Sequence, residues 1–175
     1  MQLLIEAVKK LPSVPGRMQL ISRAGCPRVL VDYAHTPDAV KNALIAARSS
    51  TSGNVVSVLG CGGDRDKSKR AVMGKYASKN SDACWFTSDN PRSEDPHAII
   101  ENMLVNVDQN NVRVEEKRDL AIEQAIKHAT KEDLVIVLGK GHESYQEIAG
   151  VRHPFSDVKH IERVLDAIVE KGGCA

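Results

Sequence analysis

Four short stretches concentrate the residues able to do chemistry. They are Asp32-Tyr33-Ala34-His35-Thr36-Pro37, Gly60-Cys61-Gly62-Gly63-Asp64-Arg65-Asp66-Lys67, Ser88-Asp89-Asn90-Pro91-Arg92 and Gly139-Lys140-Gly141-His142-Glu143. In the second, the glycines let the backbone turn tightly while Arg65 and Lys67 project toward an anion. The spacing is neither GxGxxG nor GxxxxGK(S/T), so a dinucleotide fingerprint and a P-loop are both absent. Lys140 is likewise not a P-loop lysine, because no Ser or Thr follows it.

Asn90-Pro91 fixes the backbone before Arg92, as a bidentate guanidinium–carboxylate contact requires, and an ordinary turn with a solvated arginine is the competing reading. His142-Glu143 reads equally well as a surface pair. Asp32, at the end of a buried strand, must be exposed at the loop, hydrogen-bonded or ligand-bound. His35 could share its pocket, or act with Asp38 in capping the next helix. Cys61 could be a nucleophile, but no charged base is fixed beside it. Cys26, Cys61, Cys84 and Cys174 form no CxxC pair, so reduced thiols are expected rather than a zinc site or a disulfide framework. The residues alone therefore predict an anion-binding mouth lined by Arg65, Arg92, Asp32 and Glu143.

The elements that would position these loops follow a regular pattern from Arg28 onward: a short apolar run, a loop, then an amphipathic stretch of about three turns. Strands are predicted at 29–31, 55–59, 83–87 and 134–138, with a weaker one at 112–114. Helices are predicted to start near Thr36, Ser68 and Asp95, and to cover 120–130 and 158–169; 145–155 could form a hairpin around Ala149-Gly150. Thr36-Pro37 and Asp95-Pro96 each place a capping side chain before a proline at the first helical position, where the missing N–H costs nothing. Such alternation implies an α/β fold, a doubly wound, mostly parallel sheet with helices on both faces. Ligands then bind beyond the carboxyl ends of the strands, where the four loops fall.

The remaining features bound the function. A chain of 175 residues with 42% hydrophobic and 27% charged residues fits one globular domain, and 24 basic against 23 acidic residues leave no stripe for nucleic acid. No apolar run approaches the roughly 20 residues a membrane span needs. Met1 begins no recognisable signal sequence, so a cytoplasmic location is expected. The amphipathic stretch 3–11, stopped by Pro12-Ser13-Val14-Pro15-Gly16, reads as the end of something larger followed by an interdomain linker.

Taken together and in order, the four motifs resemble the Mur ligase family, over about residues 11–155. Members have a domain for the UDP sugar, a central ATPase and a C-terminal Rossmann-like domain that closes over the active site. The resemblance implies that 1–17 are the end of the central domain and linker, and that 18–175 are the C-terminal domain. It further implies an ATP-dependent ligase of peptidoglycan synthesis, in which meso-diaminopimelate attacks an acyl phosphate formed on the D-glutamate of UDP-MurNAc-L-Ala-D-Glu. ATP and Mg2+ would serve the full enzyme, with none bound by this domain alone, no catalytic residue in it, and no nucleic-acid or membrane partner.

Carried over residue by residue, the resemblance implies that Arg92 and Asn90, with Asp89, read the distal end of diaminopimelate. Arg65 would make a second carboxylate contact, and Glu143 with the backbone of Gly139 would take the ammonium. Arg17, Asp32, Tyr33 and His35 would lie on the nucleotide side. The sequence has Arg17-Met18-Gln19 where the family usually has Arg-Met-Glu, which removes any role of that Glu. A lysine-adding Mur ligase and a non-catalytic amino-acid or nucleotide-binding module are the alternatives.

Overall fold

The computed structural model describes residues 14–172. The stretch 3–11 and Cys174 lie outside them. Eight strands are described: β1 (Gln19–Ile21), β2 (Arg28–Asp32), β3 (Val55–Cys61), β4 (Ala83–Ser88), β5 (Val112–Val114), β6 (Leu134–Leu138), β7 (Tyr145–Ile148) and β8 (Val151–Pro154). The α-helices are α1 (Pro37–Ser49), α2 (Ser68–Asn80), α3 (Pro96–Leu104), α4 (Arg118–His128) and α5 (Asp157–Glu170). The expected elements are present with small shifts at their ends. Thr36 Oγ1 accepts from Ala39 N at 3.4 Å and Asp95 Oδ1 accepts from His97 N at 3.1 Å, so both expected caps form.

Six strands make one sheet in the order β1-β2-β6-β3-β4-β5, parallel except where β1 runs against β2. Successive side chains of a strand point to opposite faces, and the core divides accordingly. Leu30, Leu59, Phe86, Ile136 and Leu138 pack with Leu44 of α1, Met73 of α2 and Ile100 of α3. Val31, Val58, Trp85, Val135 and Val137 pack with Ile122 and Ile126 of α4 and Ile161 and Leu165 of α5. Both faces are thus covered, which is why β3 and β6 read as unbroken apolar runs and are buried along their whole length.

Strand order places the loops. β6 inserts between β2 and β3, so the carboxyl ends of β2, β6, β3 and β4 are neighbours, with Asp32 beside Leu138 and Cys61 beside Ser88. β6 is followed by α5 on one face, whereas β2 and β3 are followed by helices on the other. Where successive connections diverge in this way a crevice opens at the strand ends. The short antiparallel β1 and a 3-10 turn at Gln109–Asn111 were not expected. Neither spans enough residues to show a period.

Candidate functional site

The crevice is a cleft of about 630 Å³ whose lining includes residues from all four loops: Tyr33 and His35, Gly60–Gly62 with Arg65, Asp89, Asn90 and Arg92, and Gly139 with Glu143. Two loops are interlocked through backbone. Gly63 N donates to Asn90 O at 2.8 Å, and a β-carbon on Gly63 would lie 1.9 Å from Pro91 O. Only glycine permits that approach. Gly139, at φ +110, similarly lies where a side chain would meet Asp89 Oδ2 at 2.5 Å.

Arg92 is held rigidly, with φ at +53, a region costing a non-glycine residue about 1–3 kcal/mol. The β7–β8 hairpin sustains it: Arg92 N donates to Glu147 O at 3.0 Å and Arg92 O accepts from Ala149 N at 2.7 Å. Its Nη1 donates to Gly63 O at 2.8 Å, and Nε lies 3.8 Å from Glu147 Oε2. Among the described residues Nη2 has no partner.

Asn90 and Glu143 meet over Lys140. Asn90 Nδ2 donates to Glu143 Oε2 at 2.8 Å, while Lys140 Nζ donates to that same oxygen at 3.0 Å and to Asn90 Oδ1 at 3.0 Å. Burial works to raise the Glu143 pKa, but the hydrogen bonds from Lys140 and Asn90 outweigh it and hold the carboxyl below its ordinary value. Asp89 lies deeper, 3.6 Å from Lys140 Nζ; burial pushes its pKa up despite Arg118 and Lys140.

The other wall is aromatic. Arg17 sits over the Tyr33 ring at 4.7 Å, with His35 edge-on at 4.7 Å and His142 tilted at 5.5 Å. Asp32 does not line the cleft. Its carboxylate accepts from Met18 N and Ala34 N, at 2.8 and 2.9 Å, fastening the segment that carries Arg17 to the end of β2. His142 and Glu143 do not act as a surface pair: the first is exposed against Tyr33 and the second is turned inward. Arg65 is exposed at the rim, bonded to Asp64 O at 3.3 Å. No group of three His, Cys, Asp or Glu among the described residues could hold a metal ion.

The Mur ligase, glutamate ligase domain family matches residues 16–141. The chain belongs to this family. Its curated relatives include the UDP-N-acetylmuramoyl-L-alanyl-D-glutamate–2,6-diaminopimelate ligases of Aquifex aeolicus (strain VF5) and Chromobacterium violaceum. The first is 47% identical over 163 residues, covering 93% of this chain and 34% of the relative; the second is 49% identical over 154 residues, covering 87% and 31%. A solved structure of a ligase of the same name superimposes with a TM-score of 0.84 at 42% identity, over 95% of this chain and 34% of that one. The chain spans about a third of the length of the curated relatives it matches.

Several residues that build this cleft escaped sequence reasoning. Lys140 is fully buried, although its GKG setting suggested only a failed P-loop. Arg70 is 2% exposed beneath the glycine loop, donating to Gly62 O at 3.2 Å and to both oxygens of Glu94 at 3.0 and 2.7 Å. Glu94 in turn accepts from Asp64 N at 2.6 Å. Arg118 and Asp157 form a bidentate pair with no solvent exposure. No local pattern marks these partners, which lie 24 and 39 positions apart.

The Arg70 guanidinium, foremost, holds Glu94 down from 4.5 to about 2. A depressed carboxyl stabilises the fold fully above its unfolded value, and that contribution is lost as pH falls through the folded one. The melting temperature should therefore fall between pH 4.5 and 2, and Glu94→Gln should flatten that part of the profile. An equally steep profile in the variant would contradict this role.

Cys61 lines the cleft but is no nucleophile. Burial pushes its thiol up to about 12, and Sγ lies 3.9 Å from Met73 Sδ. At pH 8 about 1 in 10⁴ such thiols is ionised. With Cys174→Ser removing the terminal thiol, Ellman's reagent should release almost no chromophore from the native chain and should react fully only after unfolding. Rapid release of one equivalent from the native chain would contradict this.

Proposed function

We propose that this chain is the amino-acid-binding, C-terminal domain of an ATP-dependent ligase that adds meso-diaminopimelate to UDP-MurNAc-L-Ala-D-Glu. In this reading residues 1–17 are the end of the preceding domain and the linker, and the fold proper begins at 18. The observation that carries the proposal is the convergence in one cleft of donors and acceptors suited to a zwitterionic end group. Arg92, the Asn90 amide and Glu143 all line it, with the Asn90 amide hydrogen-bonded to Glu143.

A side-chain terminus bearing both carboxylate and ammonium needs both kinds of partner within a few ångströms, and a fixed guanidinium fork is well matched to the carboxylate. Arg92 and Asn90 take that carboxylate, and Glu143 with the Gly139 carbonyl takes the ammonium. Arg65, exposed at the rim, closes on the second carboxylate. Asp89 braces the pocket from below through Lys140. The diaminopimelate ligases to which the chain is similar support the substrate assignment.

Tyr33, His35 and Arg17 form the nucleotide side: the aromatic wall suits an adenine face and the guanidinium a phosphate. Asp32 serves it by holding Arg17 in place. ATP and Mg2+ are held mainly by the preceding domains, and the phosphoryl chemistry belongs to them.

Calorimetric titration of this chain with meso-diaminopimelate and with lysine tests the substrate. Measurable heat with the first and none with the second is expected. Equal affinity for the two would overturn the assignment, and tighter binding of lysine would favour a lysine-adding ligase.

A further inference from the structure

Lys140 lies behind the wall of the proposed amino-acid pocket and is sealed from it, with no exposed surface and acceptors on several sides. Asn90 Oδ1 and Glu143 Oε2 lie 3.0 Å from its Nζ, Asp89 Oδ1 lies at 3.6 Å, and the Tyr145 ring centroid at 5.7 Å. A lysine ammonium has three donors and no acceptor, so every group it touches is committed to accepting. We propose that Lys140 is a positioning residue that sets the polarity of this pocket, forcing Asn90 to present its amide donor and Glu143 a free carboxylate oxygen. The inference rests on the substrate reading above but concerns a residue that reading does not use.

The case for Asn90 is geometric. Its Oδ1 accepts from Lys140 Nζ and also from Glu147 N at 2.9 Å. Were the amide reversed, its NH2 group would face two donors, so the oxygen is locked inward and the NH2 group outward. One of its hydrogens goes to Glu143 Oε2 and the other remains for a ligand carboxylate.

The case for Glu143 is electrostatic. Its Oε2 is occupied twice, by Lys140 and Asn90, leaving Oε1 as the acceptor for an ammonium. The charged groups acting on it are Lys140 from its own loop, Arg92 and Asp89 from the loop after β4, and Arg118 from α4. Lys140 alone among them makes a hydrogen bond to it. Without that ammonium, Glu143 and Asp89 would confront each other across a buried gap, and protonation of Glu143 would remove the charge that attracts the ligand.

Nuclear magnetic resonance of the unmodified chain tests this without a ligand. Glu143 should titrate below the ordinary carboxylate range, and Lys140 should give a slowly exchanging 15Nζ resonance coupled to its acceptors. A Lys140 Nζ that exchanges as fast as surface lysines, or a Glu143 that titrates normally, would overturn the proposal whether or not any variant folds.

Lys140→Met should shift the Glu143 titration upward, move the acid limit of meso-diaminopimelate binding to higher pH, and weaken binding at neutral pH by about tenfold or more. A folded variant with unchanged Glu143 titration would also overturn it. If the unmodified chain bound no meso-diaminopimelate while Lys140→Met still moved the Glu143 titration, the substrate reading would fail and the positioning role would stand.

Discussion

Arg92→Ala is expected to collapse the preference for meso-diaminopimelate over lysine that the proposed substrate assignment gives to a ligase carrying this domain. A site built to hydrogen-bond a polar group rejects an analogue lacking that group by about 10⁴-fold or more in kcat/KM, because the buried partner is left unpaired. Lysine lacks the distal carboxylate, so in the proposed pose it leaves the Arg92 fork unsatisfied. Removing Arg92 removes that penalty for lysine and the attraction for diaminopimelate together. The ratio of kcat/KM values should fall by at least two of those four orders of magnitude, about 100-fold or more, mostly through loss on the diaminopimelate side. A ratio within a few-fold of the parent's would assign discrimination elsewhere.

Arg92→Lys separates charge from geometry. A lysine keeps the positive charge but not the planar fork, and it cannot both hold Gly63 O and offer a paired contact. It should recover only a small part of the lost selectivity. Melting temperatures of both variants should be read alongside, since Arg92 Nη1 also ties the two interlocked loops together.

The second large effect is on stability. Arg118 meets Asp157 through Nε to Oδ1 at 2.8 Å and Nη2 to Oδ2 at 2.7 Å, and its Nη2 also donates to Leu138 O at 3.0 Å. The pair joins the starts of α4 and α5 to the carboxyl end of β6, directly beneath the site. Removing one member leaves an uncompensated buried charge, at a cost of about 3–5 kcal/mol. Arg118→Met and Asp157→Leu should each lower the unfolding free energy, read from denaturant curves, by that amount. The double replacement should cost much less than the sum, because neither member of the pair is then left without the other. A single variant losing under ~1 kcal/mol would show that water reaches the pair.

Much of this organisation was legible in the residues. Period and caps are local properties, so the strand–helix alternation, the starts of α1 and α3 at Thr36-Pro37 and Asp95-Pro96, and the placement of four chemically unusual loops at strand ends all follow from short stretches. Gly63 could be seen as a tight turn. That its missing side chain makes room for Pro91 O could not, because the contact joins two loops 28 positions apart.

Tertiary structure decided the partners. Insertion of β6 between β2 and β3 brings Glu143 to Asn90 across 53 positions, and no periodicity encodes a strand order. It also decided burial. Lys140, which local sequence marked only by its lack of a P-loop, is fully buried among the Asn90 amide and the Glu143 and Asp89 carboxylates. Asp32, read as part of an anion-lined mouth, is instead occupied by two backbone N–H groups of the segments beside it. The sequence by itself determined which residues are available for chemistry and to which family they belong. Which of them face the ligand and which hold the others in place was set by the fold, since a charged group's task depends on its partners, and those come from distant parts of the chain.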